Sequence, residues 1–151
     1  MKVNGTHYRT LWMEGSSIKL IDQNKLPFQF EIISSPDHIS SCEIIRDMRV
    51  RGAGAIGVMA GFAMAQAYVE AERQQEAGYI TAARGRIEAT RPTARNLFYA
   101  TEKVFDAGRK GGADGALTMA LALAEEDRLC CQAIGEYGAE LIRDNCQIET
   151  H

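Results

Sequence analysis

The chain has 151 residues, of which 46% are hydrophobic and 25% are charged, a composition typical of a folded, soluble protein and not of a disordered one. Its 17 basic and 20 acidic residues give a net charge of -3, and the two signs are interspersed. Because nucleic-acid-binding surfaces need clustered positive charge, this pattern argues against a nucleic-acid partner.

Three sequence features bear on location and metal binding. The first residues, MKVNGTHYRT, contain no apolar segment of the kind found in secretory signals, which predicts a cytoplasmic protein. The most apolar stretch, residues 55–72, contains Gln66 and ends in charged residues, so we expect a buried helix and no membrane span. No C-x-x-C pair occurs. We therefore expect reduced, mostly packed thiols and no metal at the four cysteines, Cys42, Cys130, Cys131 and Cys146.

Residues 1–33 are predicted to form a small antiparallel sheet. Two apolar segments, 11–13 and 18–22, flank a turn at 14–17, which indicates a hairpin. The segment 28–33 then alternates between apolar and polar residues. It predicts a third strand with Phe28, Phe30 and Ile32 on one face.

Residues 34–145 are predicted to form a helical bundle. Ser35-Pro36-Asp37 is a helix-start signature, and apolar residues then recur every three positions, at Ile39, Cys42, Ile45 and Met48. Beyond an interruption at 52–54, residues 55–72 are rich in alanine and methionine, which favours a second helix. Residues 81–89 predict a third, short and poorly capped helix.

Two further helices are predicted to complete the bundle. Thr90-Arg91-Pro92 indicates a helix start, capped by Thr90 or Thr93, and the glycine-rich segment 108–112 ends that helix. Its expected buried side carries Leu97, Phe98, Thr101, Val104 and Phe105. The last helix is predicted at 114–143, where the helical period is followed by Leu117, Leu121, Ala124, Cys131, Ile134, Gly138 and Leu141. The acidic run 125–127 is interpreted as a solvated face, and residues 146–151 as a turn that enters a strand of a further domain.

The stretch VRGAGAIGV, residues 50–58, contains the spelling G-x-G-x-x-G of a dinucleotide-binding turn. Such a turn needs a strand directly before the first glycine, a helix after the last, and an acidic residue about 20 positions further on. Here the preceding segment has a helical period, and Glu70 and Glu72 fall inside a predicted helix. The sequence therefore argues against a dinucleotide cofactor.

The same stretch also fits an anion-binding turn. The flexible backbone at Gly52 lets amides approach a ligand at the positive end of a helix. Arg51 can add a bidentate hydrogen-bonded contact to a phosphate. Arg91 lies beside another predicted helix start, so the two starts can converge on one phosphorylated ligand. The alternative is that the glycines serve only chain reversal and helix packing, with both arginines as solvated charges.

These two motifs resemble those of the methylthioribose-1-phosphate isomerases. That family's turn commonly reads V-R-G-A-P-A-I-G, which residues 50–57 match except that Gly54 replaces proline. Its R-P-T-A-x-N-L-F motif is matched by residues 91–98. Related families are the archaeal ribose-1,5-bisphosphate isomerases and the regulatory subunits of the eukaryotic initiation-factor-2B complex. The Trp12 start and the R-P-T-A motif favour the methylthioribose enzymes. Further similarity at 10–12, 20–28 and 134–139 extends the resemblance over nearly the whole chain.

The resemblance implies a substrate site and a reaction. The family's substrate-binding R-G-A residues correspond here to Arg51, Gly52 and Ala53, and the arginine of R-P-T-A corresponds to Arg91. The implied reaction is the aldose-ketose isomerisation of 5-methylthioribose 1-phosphate in methionine salvage, by a homodimer without metal or nucleotide cofactor. The competing class is a non-enzymatic interaction protein like the initiation-factor subunits.

The resemblance also implies that part of the enzyme lies outside these residues. The family continues as T-H-C-N with a catalytic cysteine, and a catalytic aspartate follows in a Rossmann-like carboxyl-terminal domain, whereas this chain ends at Thr150-His151. We therefore expect no catalytic residue here and no activity of the chain alone. Cys146 lacks the family motif, and His151 has no partner to orient it as a base. His7 and His38 are expected at the surface or in caps.

Overall fold

The computed structural model describes residues 2–74 and 76–149. Along these residues, short strands come first and helices follow, which confirms the predicted α+β fold with a small antiparallel sheet before a helical bundle. The elements are β1 Lys2–Val3, β2 Thr6–His7, β3 Leu11–Glu14, β4 Ser17–Ile21, β5 Ile32–Ser35, α1 His38–Arg46, α2 Ala53–Gln74, α3 Tyr79–Glu88 and α4 Arg95–Ala139.

Strands β3, β4 and β5 form one antiparallel sheet with β4 in the centre, and β1 and β2 form a separate hairpin. The predicted hairpin is confirmed as β3 and β4, which pair Leu11 with Leu20. The β1–β2 hairpin was not predicted. Its signal is the turn Asn4-Gly5, where both residues have positive φ, as a tight hairpin turn requires.

The third strand was predicted too early in the chain. Residues 23–28 form turns, and β5 begins only at Ile32. Phe28 is 93% exposed, and Phe30 and Ile32 are exposed as well. Ile33 instead pairs with Leu20 and is half-buried. Alternation shows that two faces differ, but only pairing with β4 decides which of them meets the core.

The start of α1 is confirmed, but its first residue is not at the surface. The carboxylate of Asp37 caps the helix by accepting a hydrogen bond from Ser40 N at 2.7 Å. His38 is only 1% exposed, and its Nδ1 pairs with the carboxylate of Glu70, which also accepts a hydrogen bond from Tyr79 Oη at 2.7 Å. Burial and that bond raise the pKa of Tyr79 to about 12. The expected surface or capping role of His38 is therefore wrong, because the side chain lies inside a cluster that joins α1, α2 and α3.

Helix α2 is the core of the bundle. Every residue from Ile56 to Tyr68 is buried, as expected for a helix surrounded by other elements. A Cβ at Gly61 would lie 3.6 Å from Val104 and 3.7 Å from Ala100, so the neighbouring helix packs close to this glycine. The prediction of a buried core helix is confirmed. No helix in the described residues is long and apolar enough to cross a membrane.

Helix α4 contains both of the predicted last helices. Gly111 and Gly112 leave helical φ/ψ, which separates a first half (95–110) from a second half (113–139) and confirms the predicted break. The predicted start is wrong by a few residues, because α4 begins at Arg95 without a side-chain cap. Thr90 does not cap it; its Oγ1 donates to Ile87 O at 2.6 Å and so closes α3.

The first half of α4 runs parallel to α2. A Cβ at Gly57 would lie 3.0 Å from the carbonyl oxygen of Asn96, near the start of both helices. Further along both helices, Gly108 packs against the ring of Tyr68. The two helices therefore begin at the same end of the bundle.

The second half of α4 returns antiparallel to α2 and extends past its first residue. Asp127 packs on Gly54, and the residues that follow have no part of α2 beneath them. The residues that follow the helical period are therefore uncovered beyond this point, where Ile134 is 66% and Leu141 is 82% exposed. Leu121, another of these residues, is exposed too. The helical period identifies an apolar face, but α2 covers only part of it.

The chain after α4 and the cysteines also depart from expectation. The helix ends at Ala139, and residues 146–149 contain no strand. Thr150 and His151 lie outside the described residues, so the rest of the predicted strand does too. Of the four cysteines only Cys42 is buried, so the expectation of mostly packed thiols is wrong for Cys130, Cys131 and Cys146.

Candidate anion-binding site

The turn before α2 presents free backbone amides. Gly52 has φ +91, a conformation that side chains disfavour, and its carbonyl accepts the first helical hydrogen bond from Ile56 N at 2.9 Å. The amides of Ala53, Gly54 and Ala55 precede that bond and have no side-chain cap in the described part of the chain. These three donors lie at the positive end of a 22-residue helix, where an anion is favoured. The element before the turn is α1, so no strand of a dinucleotide-binding unit is present in these described residues.

Arg51 is held in place by the loop after β4. Its backbone N–H donates to the side-chain oxygen of Gln23, its Nη2 donates to Asn24 Oδ1 at 2.9 Å, and its Nε approaches Met48 O at 3.3 Å. The side chain remains exposed, with donors left over for a ligand. The guanidinium is thus oriented without being buried.

The supporting residues Gln23 and Asn24 were not identified as site residues from the sequence. Asn24 is anchored by Nδ2 to Asp47 O at 2.9 Å and by its N–H to Asp22 Oδ1 at 3.1 Å. The only available signal was that residues 20–28 share the family resemblance. Nothing in their local pattern indicates that they contact a turn nearly thirty positions away.

Arg91 lies in the turn between α3 and α4. Its carbonyl accepts a hydrogen bond from Ala94 N at 3.0 Å, which places the side chain just before α4. Its Nη1 is buried and has no hydrogen-bond partner among the described residues. A buried guanidinium donor without a partner is costly, and an anion would satisfy it.

The two predicted motifs lie at the same end of the bundle. The close approach of Gly57 to Asn96 joins the first turns of α2 and α4, which run parallel. Two positive helix ends, each preceded by an arginine, therefore face the same region. This arrangement suits a ligand that carries a doubly charged group, such as a phosphate ester.

Asp127 brings a negative charge to this end. A Cβ at Gly54 would lie only 2.0 Å from Asp127 Oδ1, so the carboxylate rests on the backbone of the first turn of α2. Burial raises the pKa of Asp127. The acidic run was interpreted as a solvated face, which is wrong for this residue. The sequence offers no signal for the contact, because it depends on the antiparallel return of α4.

A groove of about 220 Å³ lies between these helix starts, and its walls include Gly54, Gly57, Asn96 and Asp127. Other grooves in the described residues are larger, among them two of about 630 and 610 Å³. The smaller groove is lined by residues of both motifs, Gly54, Gly57 and Asn96. Its charged side chains are Glu126 and Asp127, and the two arginines lie outside its lining.

The fold and the paired helix starts define an α+β domain with a candidate anion-binding end. Comparison with known proteins then gives the relatives of this chain, which are methylthioribose-1-phosphate isomerases. The isomerase from Escherichia coli O45:K1 is 37% identical over 97% of this chain, and that from Thermotoga maritima is 40% identical over 95%. The chain spans only 40% of the first relative and 43% of the second. No protein-family model matches the chain.

Solved structures show the same fold. The 5-methylthioribose 1-phosphate isomerase of Pyrococcus horikoshii superposes with a TM-score of 0.68 at 27% identity, over 89% of this chain and 40% of that one. The delta subunit of the translation initiation factor eIF-2B from A. fulgidus gives a TM-score of 0.68 at 30% identity, over 92% and 43%. The resemblance inferred from the two motifs is thus confirmed, and both named classes share this fold.

Proposed function

We propose that this chain forms the substrate-phosphate-binding part of an aldose-ketose isomerase that converts 5-methylthioribose 1-phosphate to 5-methylthioribulose 1-phosphate in methionine salvage. The observation that carries the proposal is the convergence of two arginine-bearing helix starts at one end of the bundle. The similarity to methylthioribose-1-phosphate isomerases supplies the substrate class.

Each proposed site residue has a distinct role. Arg51 supplies an exposed guanidinium, and Gly52 lets the chain turn so that the amide of Ala53 and those after it point at the phosphate. Arg91 supplies a buried donor that has no other partner among the described residues. Together they would hold a phosphate from two sides, which fixes the sugar for proton or hydride transfer.

The proton-transfer chemistry belongs to residues outside this chain. An anomeric phosphate opposes ring opening, so the enzyme must hold it firmly while other groups act on the sugar carbons. The family resemblance assigns that chemistry to a cysteine and an aspartate of a carboxyl-terminal domain. We therefore expect no turnover by these residues alone, and we infer no metal or nucleotide cofactor.

The exposed end of α4 is the surface that we assign to the carboxyl-terminal part. Ile134 and Tyr137 lie on one face of α4, and Leu141 follows just after the helix ends; they are 66%, 76% and 82% exposed. A contiguous apolar face of this kind is unusual on a free surface. The relatives are more than twice as long as the matched region, so they have chain available to cover it. The intact protein is proposed to be a cytoplasmic homodimer without a nucleic-acid partner.

Substrate binding tests the proposed site. Loss of a charge-assisted hydrogen bond costs about 1.5–3 kcal/mol, so Arg51→Ala and Arg91→Ala should each weaken binding of 5-methylthioribose 1-phosphate about ten- to hundredfold in calorimetry. Arg86→Ala is the matched control, because Arg86 is an exposed arginine on α3 that belongs to neither motif, and the affinity of this variant should be unchanged. Equal affinities in all variants would reject the site.

Complementation tests the role of the missing part. Mixing this chain with the carboxyl-terminal part of the Thermotoga maritima relative should restore isomerisation, and the Arg51→Ala chain should restore much less. Persistent inactivity of an assembled pair would contradict the enzyme proposal.

The second candidate is a regulatory or interaction subunit, favoured by the shared fold of the eIF-2B delta subunit. This second candidate predicts that the chain assembles with other subunits but binds no sugar phosphate. A ribose-1,5-bisphosphate isomerase would instead bind the bisphosphate more tightly than the methylthio sugar.

A further inference from the structure

Asp127 occupies the place where an anion would approach α2. Its Oδ1 lies within contact distance of the backbone of Gly54, the second residue of the helix. Among the described residues it has no hydrogen-bond donor and no ion-pair partner. Burial of this carboxylate without a partner disfavours its charged form and raises the pKa of Asp127.

Gly54 is what makes this position possible. The related isomerase turn has proline here, and any Cβ at residue 54 would overlap the Asp127 carboxylate at 2.0 Å. The carboxylate is the end of a short side chain, so it would have to move away. The position of the Asp127 carboxylate therefore depends on the glycine, and a side chain at residue 54 would move the carboxylate away.

We propose that Asp127 gates the anion-binding turn: the ionised carboxylate occupies the amino end of α2 and weakens binding of a doubly charged anion, and protonation or displacement of Asp127 releases the site. This inference rests on the proposed function, since it concerns the same phosphate site. The negative charges of a bound phosphate and of the Asp127 carboxylate would repel each other at this helix end. The raised pKa of Asp127 agrees with this, because it brings protonation closer to neutral pH.

Other charged groups near Asp127 are few. On its own helix they are Glu126 and Arg128, with the thiols Cys130 and Cys131, and Arg128 is paired with Glu125. The first half of α4 presents Tyr99. The amino-terminal segment presents His7 and Arg9, and Arg9 is also paired with Glu125. The first turn of α2 contains no titratable side chain.

Sulfate is the suitable probe, because it stays doubly charged where phosphate itself titrates. Binding of sulfate to the 151-residue chain is measured by calorimetry between about pH 5 and 8 in wild type and in Asp127→Asn. We expect Asp127→Asn to bind about three- to tenfold more tightly at the upper end, with the difference shrinking as the pH falls. Gly54→Ala, which displaces the carboxylate, should tighten binding in the same direction. Glu136→Gln removes one charge on the opposite side of the same helix and should leave the affinity for sulfate unchanged.

The outcomes distinguish the proposed role of Asp127 from the existence of the anion-binding site itself. If Arg51→Ala weakens sulfate binding but Asp127→Asn matches wild type at every pH, the site stands and the gate is rejected. If His7→Asn removes the pH dependence and Asp127→Asn retains it, the gate is likewise rejected. If no protein binds sulfate in a way that depends on Arg51, the proposed function fails and the gate fails with it.

Discussion

Replacement of Gln66 by methionine should destabilise the buried polar junction between the sheet and the helices. Gln66 lies in α2 and is 2% exposed. Its Nε2 donates to Ser16 O at 3.0 Å and to Ser35 O at 2.9 Å, and its Oε1 accepts from Ser41 Oγ at 2.7 Å. These bonds join α2 to the β3–β4 turn, to the end of β5 and to α1.

The magnitude follows from which partners can reach water. Ser16 is exposed, so its carbonyl can be hydrated, and Ser41 Oγ keeps Ser35 Oγ at 2.7 Å. The carbonyl of Ser35 is buried and would be left without its partner. One unsatisfied buried carbonyl costs about 1–3 kcal/mol and the other bonds about 1 kcal/mol net, so Gln66→Met should lower the free energy of unfolding by about 2–4 kcal/mol.

Urea unfolding measures this effect. Trp12, the single tryptophan, lies in β3 and reports on the sheet, while circular dichroism reports on the helices. The midpoint should fall with little change in slope. Gln132→Met, on the exposed side of α4, is the matched control and should stay within about 0.5 kcal/mol of wild type. A cost below about 1 kcal/mol for Gln66→Met, or an equal cost in the control, would refute the reasoning.

Three further predictions concern glycine packing, thiol reactivity and pH. A Cβ at Gly108 would lie 2.2 Å from the ring of Tyr68, so Gly108→Ala should cost about 1–3 kcal/mol, whereas Gly85→Ala faces open space and should gain about 0.5–1 kcal/mol; equal shifts in thermal unfolding would contradict this. Burial raises the pKa of Cys42 to about 11, so at about pH 8 a disulfide reagent should modify the exposed thiols quickly and Cys42 only on unfolding; four fast reactions would count against it. Because burial raises the pKa of Asp127, the folded state holds that proton more tightly, and the stability it contributes below the unfolded pKa is lost as the pH rises through the folded pKa. The stability of Asp127→Asn relative to wild type should therefore increase between about pH 4 and 7, and parallel stability curves would exclude the effect.

Local chemistry explains which elements could be predicted. Asp37 caps α1 with its own side chain, and Gly111 and Gly112 break α4 through their own backbone freedom. Such signals act within a few residues and need no tertiary context. The strand near Phe30 was misplaced because alternation holds for either face and for neighbouring starting points.

The residues of the candidate site also divide into those that a local pattern predicts and those that depend on tertiary contacts. Arg51 and Arg91 were selected because each stands beside a predicted helix start, which is a local pattern. Gln23 and Asn24 could not be selected, because their contact with Arg51 bridges a hairpin and a helix. Asp127 looked like part of a solvated acidic run, and its position depends on where α4 turns back.

By itself the sequence determined where helices begin and break, which residues are apolar, and that two arginines precede helix starts, because these properties follow from short-range sterics and hydrogen bonding. The tertiary structure alone decided that the two starts share one end of the bundle, that Asp127 lies on Gly54, and that the end of α4 is uncovered. Those three features depend on the way in which long helices pack against one another. A shift in register of a few residues at the Gly111–Gly112 break would change each of them.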